Sequence, residues 1–300
     1  MMVKSIAING GGGSLSRSRK KSNASRKRSN SASPNESNNT SRKRSNNASR
    51  KISNSASGIA AIKAYGHLRT AIRSKDKDKT KEAITLIKAR KENLNLQDHD
   101  GKTLLMHAIE FGKKEVAETL IDAGVDLNIQ DERGQTAVEY AIEYMPDIAK
   151  ELIKKEVDTN IKDKSGKTPL MRAILAKKIE VAKELIKKGV DLNKQEKNGK
   201  TALMYASMTK QKEVAKGLVI DLIGDLIKKE VNLNIQDNGG KTALMYAIII
   251  GEIEVADELI DAGADLDKKD KHGNTALMYA IKYMPDIAKR LSTRKRKSKK

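Results

Sequence analysis

Gly166-Lys167-Thr168-Pro169-Leu170-Met171-Arg172-Ala173 decides the fold, because five close copies of it recur along the chain. All the copies keep the first glycine, the threonine and the last alanine, and they begin at Gly101, Gly134, Gly199, Gly240 and Gly273. The threonines stand at positions 103, 136, 168, 201, 242 and 275, separated by 33, 32, 33, 41 and 33 residues. A period of this length is typical of a repeat protein in which each unit packs only against its neighbours.

Each unit has the same parts in the same order. An Asp-x-x-Gly turn, as in Asp131-Glu132-Arg133-Gly134, uses glycine for a positive φ, and the next threonine caps a short helix. A second helix follows, such as Glu115-Val116-Ala117-Glu118-Thr119-Leu120-Ile121. Gly124 then stands where the C-terminus of a helix favours a left-handed residue. The sequence therefore predicts helix-turn-helix units joined by short hairpin turns.

This pattern resembles the ankyrin repeat, whose period is about 33 residues and whose signature is Thr-Pro-Leu-His-x-Ala. The resemblance covers about residues 98–291, and a degenerate unit precedes it, with helices at 68–72 and 82–87. It implies an all-α ankyrin-repeat solenoid of about seven helix-turn-helix units over residues 58–292. The first and last units are expected to be caps that shield the ends of the stack.

Two departures from the family pattern lead to predictions. Methionine replaces the signature histidine in five of six units, and Glu139 replaces it in the other. Because that histidine bonds the threonine turn in the family, its absence implies somewhat looser turns. Aligning Glu213 with Glu115 places the eight extra residues of the 41-residue unit in or after its second helix, around 217–226. Eight residues rotate a helix by about 80° beyond two full turns, so we predict a break or bulge near Gly217 or Gly224.

The net charge of +21 is concentrated at the two ends of the chain. Residues 1–57 contain thirteen Lys and Arg but one acid, residues 289–300 contain eight and no acid, and residues 58–288 are nearly neutral. The chain has no Cys, which excludes disulfides, thiolate metal sites and cysteine nucleophiles. The longest apolar run, 243–250, is too short to cross a bilayer, which takes about 20 residues.

The basic ends are predicted to contact polyanions. Residues 1–57 are mostly Ser, Asn, Arg, Lys and Ala, a composition that predicts disorder, and residues 293–300 form a basic tail. Clustered Lys and Arg there would bind nucleic acid or be recognised by a nuclear-import receptor, although they would also keep the protein solvated. The candidate residues are Arg26, Lys27, Arg28, Arg42, Lys43, Arg44, Arg294, Lys295, Arg296 and Lys297.

The resemblance also locates a candidate protein-binding surface. In the ankyrin family partners usually bind the concave surface that inner helices and turn tips form. One variable position of that surface, eight residues after each repeat threonine, forms a row that we name the concave file. The concave file consists of Phe111, Tyr144, Ala176, Thr209, Ile250 and Tyr283. Exposed apolar and aromatic residues in a row often mark a contact surface. The alternative is that they pack against the turn of the adjacent unit.

No pattern in the sequence points to an enzyme. Gly-Lys-Thr at 101–103, 166–168, 199–201 and 240–242 resembles the end of a phosphate loop, but the required upstream glycine is missing. The four histidines are scattered, and no two are spaced to share a metal ion on one helix face. We therefore expect no catalytic site, no cofactor, no metal and no small-molecule substrate.

The hairpin tips carry a second charge pattern. Seven lysines recur there, at positions 102, 164, 167, 197, 200, 241 and 271, and such a basic comb would suit an acidic partner. The neighbouring acids Asp100, Glu132 and Glu196 dilute it. A merely solvated edge is the preferred interpretation at this stage.

The preferred functional hypothesis is a non-enzymatic adaptor that binds a protein on its concave face and uses its basic ends for nucleic-acid contact or nuclear targeting. A second hypothesis is a structural protein that packages nucleic acid, for instance in a virion. A third is a microbial effector that acts inside a eukaryotic host. All three place the protein inside a cell, in cytoplasm or nucleus, or in a virion, and none involves a membrane.

Overall fold

The computed structural model describes residues 56–89, 93–155, 157–209 and 213–297, and over these residues the chain forms fourteen α-helices in seven pairs. The first helices of the pairs, which we call inner, are α1 Ala56–Arg73, α3 Leu104–Glu110, α5 Ala137–Tyr144, α7 Pro169–Leu175, α9 Ala202–Ser207, α11 Ala243–Ile250 and α13 Ala276–Tyr283. The second helices, which we call outer, are α2 Lys77–Ala89, α4 Lys114–Asp122, α6 Pro146–Lys154, α8 Ile179–Lys188, α10 Glu213–Lys228, α12 Ile253–Asp261 and α14 Pro285–Lys297.

Each helix packs against its partner in the pair and against the equivalent helices of neighbouring units. The result is two layers of helices, one inner and one outer, as an ankyrin-repeat solenoid requires. The predicted fold class and the predicted seven units are confirmed. None of the described helices combines the length and the apolar content that spanning a bilayer requires.

The repeat threonines start the inner helices as predicted. Thr103 Oγ1 accepts a hydrogen bond from the backbone N–H of Met106 at 3.3 Å, and Thr168, Thr201, Thr242 and Thr275 act in the same way in their units. Met106 Sδ lies 3.5 Å from the backbone nitrogen of Thr103, in the place where the signature histidine would reciprocate. The turns keep their caps without the histidine, and their expected loosening stays a prediction.

The hairpin tips stack directly on one another. We define a tip as the six residues before each repeat threonine: 97–102, 130–135, 162–167, 195–200, 236–241 and 269–274. A backbone N–H in each tip donates to a carbonyl of the preceding tip, as from Glu132 to Asp100 at 2.8 Å and from Lys164 to Arg133 at 2.9 Å. Gln97 adds a side-chain bond to the next tip, from Nε2 to the carbonyl of Gln130 at 2.9 Å. Neighbouring units are therefore held in register by the backbone as well as by the core.

The core is a continuous apolar layer between the inner and outer helices. In α4 the buried residues are Val116, Ala117, Leu120 and Ile121, which recur at helical spacing along one stripe. The equivalent stripes in α6 and α8 are buried in the same way. Because every unit buries this stripe against its neighbours, the stack gains apolar burial with each unit added.

The last unit does not shield its end of the stack, contrary to expectation. Met278 and Ile281 on α13 are 53% and 65% exposed, although their equivalents Met245 and Ile248 on α11 are fully buried. At the other end, Ile59 on α1 is 48% exposed. Both ends therefore carry residues of the type that an internal unit buries under its neighbour.

The long unit contains one unbroken helix, so the predicted break near Gly217 or Gly224 is wrong. Helix α10 runs from Glu213 to Lys228. Val231 N–H donates to Leu226 O, as Val125 N–H donates to Leu120 O. Leu226 is thus the counterpart of Leu120, and Glu213 is not the counterpart of Glu115. The extra residues precede the packed part of α10, and the stripe Val219, Leu222, Ile223 and Leu226 stays buried on one face.

The domain boundaries proposed from the sequence are only partly covered by the described residues. Residues 1–55 lie outside them, so disorder in 1–57 stays a prediction. At the other end α14 continues through Lys297, beyond the proposed boundary at 292. The side chains of 293–297 and all of 298–300 lie outside the described part, so the role of the tail also stays a prediction.

Because the tips stack closely, replacing a tip glycine by alanine should lower the free energy of unfolding more at an internal tip than at the last one. Gly134 has φ +75°, and a β-carbon there would lie 2.8 Å from the backbone nitrogen of Lys164. Gly273, in the last described tip, has φ +80°, and nothing lies within 4 Å of its β-carbon position. Both alanine variants incur left-handed strain of about 1–2 kcal/mol. In urea unfolding, Gly134→Ala should lower the free energy of unfolding by about 2 kcal/mol more than Gly273→Ala, because its methyl group also overpacks against the backbone of the next tip. Equal losses would contradict the stacking.

Candidate protein-interaction surface

The concave file lies at the C-terminal ends of the inner helices. Tyr144, Ile250 and Tyr283 are the last residues of α5, α11 and α13, and Phe111 and Ala176 are the residues that cap α3 and α7. Thr209 follows the cap of α9. Because consecutive inner helices pack side by side, these positions follow one another along the same surface.

Exposure varies along the concave file. Phe111 is 39% exposed, and Tyr144 and Tyr283 are each 47% exposed, whereas Tyr140 in the core is 3% exposed. Ala176 is also exposed, and Thr209 and Ile250 are half-buried. Leu175, which precedes Ala176, is 47% exposed. It belongs to the surface although the sequence pattern did not select it, because the pattern fixed a single position per unit.

The aromatic members of the concave file are held by neighbours that leave one side open. The guanidinium carbon of Arg73 lies 5.2 Å from the centroid of the Phe111 ring, and the Tyr144 ring lies 6.2 Å from that of Tyr140. Tyr283 stacks on Tyr279 with centroids 6.3 Å apart. Phe111 thus packs against the adjacent unit, whereas Tyr144 and Tyr283 pack against their own helices, and all three side chains stay partly exposed.

A buried carboxylate inside each tip organises this surface, a feature that sequence reasoning missed. Asp131 Oδ1 accepts the backbone N–H groups of Arg133 and Gln135, both at 2.8 Å. Its Oδ2 accepts the hydroxyl of Tyr140 at 2.9 Å, nine residues later. The tip is thereby tied to the inner helix of its own unit.

The same arrangement recurs in most of the other units. The pairs of carboxylate and donor are Asp98 with His107, Asp163 with Arg172, Asp237 with Tyr246 and Asp270 with Tyr279. In the remaining unit Glu196 accepts the backbone N–H of Lys200 at 3.2 Å. The signal in the sequence was an acid followed nine residues later by a donor side chain. It was overlooked because acids at repeat-equivalent positions were interpreted as solvated.

These contacts shift the pKa values of both partners. Burial alone would raise the pKa of Asp270, but hydrogen bonds from the Tyr279 hydroxyl and from the backbone of Asn274 and His272 lower it to about 2. Burial and the hydrogen bond to the Asp270 carboxylate raise the pKa of Tyr279 to about 12. The carboxylate is therefore ionised and the phenol is neutral at physiological pH, as the hydrogen bond requires.

Glu139 is a second internal carboxylate, and it occupies the signature histidine position of the third unit. Its Oε2 accepts the backbone N–H of Thr136 at 2.9 Å and also the Thr136 hydroxyl, which completes a capping box. Its Oε1 is buried without a hydrogen-bond partner. Burial raises the pKa of Glu139 from an ordinary 4.5 to about 7, although the bonds from Thr136 act in the opposite direction.

Glu139 should make stability depend on pH. The folded pKa of about 7 exceeds the unfolded value of 4.5, so unfolding releases a proton between these values and stability falls as pH rises through this window. Glu139→Met, the residue of the other units, should remove this dependence. In urea unfolding, the free energy of unfolding of this variant relative to the unchanged chain should be about 2 kcal/mol higher at pH 8 than at pH 5. Parallel pH profiles for the two proteins would contradict the buried carboxylate.

The tip lysines are partly committed to contacts within the stack. Lys102 Nζ donates to Glu110 at 2.8 Å and lies 5.3 Å from the centroid of the Tyr140 ring in the next unit. Lys200 lies 5.8 Å from the Tyr246 ring. Lys164 Nζ lies 3.6 Å from a Glu132 oxygen. Glu196, which the sequence analysis counted among the diluting acids, is instead buried in its tip.

One group of described residues has the spacing of a possible metal site. Ligand atoms of Asp98, His99 and Asp100 lie within 4.8 Å of one another. Both oxygens of Asp98 already accept hydrogen bonds, Oδ1 from the tip backbone and Oδ2 from His107. Asp98 therefore serves the tip in the same way as the other repeat carboxylates.

The predicted nucleic-acid or targeting residues are not brought into this surface by any described contact. Arg26, Lys27, Arg28, Arg42, Lys43 and Arg44 lie outside the described residues, as do the side chains of Arg294, Lys295, Arg296 and Lys297. Their roles stay predictions.

Comparisons with solved structures support the fold. The ankyrin repeat domain of Bcl-3, a member of the IkappaB family, is 23% identical with a TM-score of 0.59, over 71% of this chain and 92% of that one. The ankyrin repeat protein EF0377 is 27% identical with a TM-score of 0.57, over 65% of this chain and 97% of that one.

A further match is a chain from the complex of the predatory endopeptidase Bd0816 of Bdellovibrio bacteriovorus with the immunity protein Bd3460. It is 29% identical with a TM-score of 0.53, over 65% of this chain and 96% of that one. A search of curated proteins found no match.

The profile of ankyrin repeats in three copies matches residues 68–163, 143–225 and 219–299, which together span nearly all of the described helices. Ankyrin repeats are typically non-enzymatic modules that bind protein partners, and this family indicates a protein-interaction scaffold. The chain belongs to the ankyrin repeat family.

Proposed function

We propose that the chain is a non-enzymatic adaptor that binds a protein partner on the surface of its inner helices, centred on the concave file. The observation that carries this proposal is the exposure of Phe111, Tyr144 and Tyr283 at equivalent positions along the stack. Aromatic side chains on a surface are costly to leave in water and are enriched among binding hot spots.

The geometry of these side chains suits recognition. They stand at the ends of inner helices, and each lies against a neighbouring side chain: Tyr144 against Tyr140, Tyr283 against Tyr279 and Phe111 against Arg73. A partner would therefore bind pre-positioned groups and lose less side-chain entropy than on a flexible surface. A chain similar to this one is part of a complex of two proteins, an endopeptidase and an immunity protein, which supports protein binding as the function.

Replacing four file residues tests this proposal. In a pull-down from the cells that produce the protein, Phe111→Ser, Tyr144→Ser, Ile250→Ser and Tyr283→Ser combined should lose the partner that the unchanged chain retains. The matched control is Ile59→Ser, Ile62→Ser, Met278→Ser and Ile281→Ser, which removes exposed apolar groups at the ends of the stack. If the file variant keeps every partner while its far-ultraviolet circular dichroism is unchanged, the surface is not the binding site.

A second part of the proposal is that the basic ends contact nucleic acid or an import receptor in the cytoplasm or nucleus. Their charge supports it, since twenty-one Lys and Arg fall in residues 1–57 and 289–300 against one acid. The packaging or virion protein and the host-directed effector remain the alternatives, because both would use the same charges.

The salt dependence of DNA binding shows whether these clusters bind nucleic acid or only keep the protein solvated. Changing Arg26, Lys27, Arg28, Arg42, Lys43 and Arg44 together to Ser should lower the salt concentration at which the chain leaves a single-stranded DNA column and reduce the slope of log affinity against log salt. The matched control changes to Ser five lysines of the outer helices, at 81, 88, 114, 154 and 187, together with Lys229, which directly follows α10. Equal effects of both variants would leave no role for the clusters.

A further inference from the structure

Charge is distributed unevenly along the row of hairpin tips. In the second and third units, tips 97–102 and 130–135 together contain two basic and four acidic residues, and Asp100 and Glu132 are exposed. In the fourth to seventh units the tips contain eight lysines and four acids. The row therefore changes sign between the third unit and the fourth.

The acids of the last four tips do not reach the surface. Asp163, Glu196 and Asp270 are buried, and the half-buried Asp237 is bonded to Tyr246. Each accepts backbone N–H groups of its own tip, so each is directed inward. What these tips present to solvent is the lysine ridge, which consists of Lys162, Lys164, Lys167, Lys197, Lys200, Lys241, Lys269 and Lys271.

Three exposed lysines of the ridge have no carboxylate beside them. Lys197, Lys269 and Lys271 are exposed, and within the described part of the chain no carboxylate lies at ion-pair distance from any of the three. In contrast, Lys164 has Glu132 at 3.6 Å and Lys241 has Asp270 at 3.8 Å. A partner's carboxylates would thus find uncompensated positive charge at the fifth and seventh tips.

We propose that the lysine ridge docks an extended acidic segment of the protein that the adaptor binds. This inference rests on the proposed function and specifies the chemistry of its partner. Stacked helices lie about 8–10 Å apart, so successive tips are spaced similarly. A segment in the polyproline II conformation advances about 9 Å per three-residue turn, which would bring every third side chain to the same face and so an acidic side chain to each tip.

The same observations argue against nucleic acid as the occupant of the ridge. A nucleic-acid strand carries one charge per about 3.4 Å, which is far denser than the few uncompensated lysines spread over four tips. The tyrosine rings near the ridge are also engaged, because Lys200 lies over the Tyr246 ring and Tyr283 stacks on Tyr279. A sparse row of cations suits separated carboxylates better.

The test uses the full-length chain and a fluorescein-labelled peptide of about twelve residues with glutamate at every third position and serine between, which spans about 37 Å in the polyproline II conformation. Because the basic ends also attract the peptide, the primary measurement is site-resolved. Zero-length carbodiimide cross-linking followed by mass spectrometry identifies the lysines that lie against glutamate. We expect the ridge lysines to be cross-linked severalfold more than the exposed Lys154 and Lys187 on the outer helices and the exposed Lys229 directly after α10.

Two triple variants of equal charge supply the affinity measurement. Lys197→Gln, Lys269→Gln and Lys271→Gln combined should weaken peptide binding at least about fivefold at low salt. Lys154→Gln, Lys187→Gln and Lys229→Gln combined should change it less than about twofold. Equal losses in the two variants, or cross-links concentrated away from the ridge, would overturn the proposal.

Two further arms separate this inference from its alternatives. If the ridge variant loses affinity for a single-stranded DNA of about twelve nucleotides as much as for the peptide, the ridge is a polyanion site and the acidic-segment proposal fails. The file variant with serine at 111, 144, 250 and 283 should bind the peptide like the unchanged chain. If the ridge variant binds the peptide normally while the file variant loses its protein partner, this inference is wrong and the proposed function stands.

Discussion

The structure depends on a carboxylate inside each hairpin tip. One oxygen of Asp131 accepts two backbone N–H groups of the tip, and the other accepts a side chain of the inner helix. A turn of this kind would otherwise leave donors unsatisfied next to a packed neighbour, at a cost of about 1–3 kcal/mol for each buried group. The carboxylate satisfies these donors from within, so the outer edge of the tip is free to stack on the next tip.

Stacking then follows from geometry at a single residue. The tip glycine has a positive φ, and in the internal units its α-carbon approaches the next tip so closely that a β-carbon would meet backbone atoms at under 3 Å. Backbone hydrogen bonds between tips are possible only at this distance. The carboxylate, the glycine and the hydrogen bonds between tips therefore act together as one stacking arrangement. It repeats along the stack up to the last described tip, where no atom lies within 4 Å of a β-carbon built at Gly273.

Much of this could be predicted from the sequence, because period and residue type are local signals. The threonine caps, the positive-φ glycines and the helix pairs follow from the repeat alone. The role of Asp131 could not, since its burial arises only when the next unit covers the tip. The register of α10 was mistaken because Glu213-Val214-Ala215 copies Glu115-Val116-Ala117, yet the bond between Val231 and Leu226 fixes a different alignment. Exposure in the concave file likewise depends on neighbours that no single unit encodes.

The same stacking arrangement divides the surface into constant and variable parts. Carboxylates and tyrosine hydroxyls that would otherwise be available to a ligand are used in holding the tips, as with Asp270 and Tyr279. The positions left for recognition are those that the stack does not need: the ends of the inner helices, and the exposed residues of the tips. In this chain the first set carries aromatic residues and the second changes from mixed charge to lysine. Recognition can therefore vary at these positions while the tip carboxylates and glycines that set the stacking stay the same.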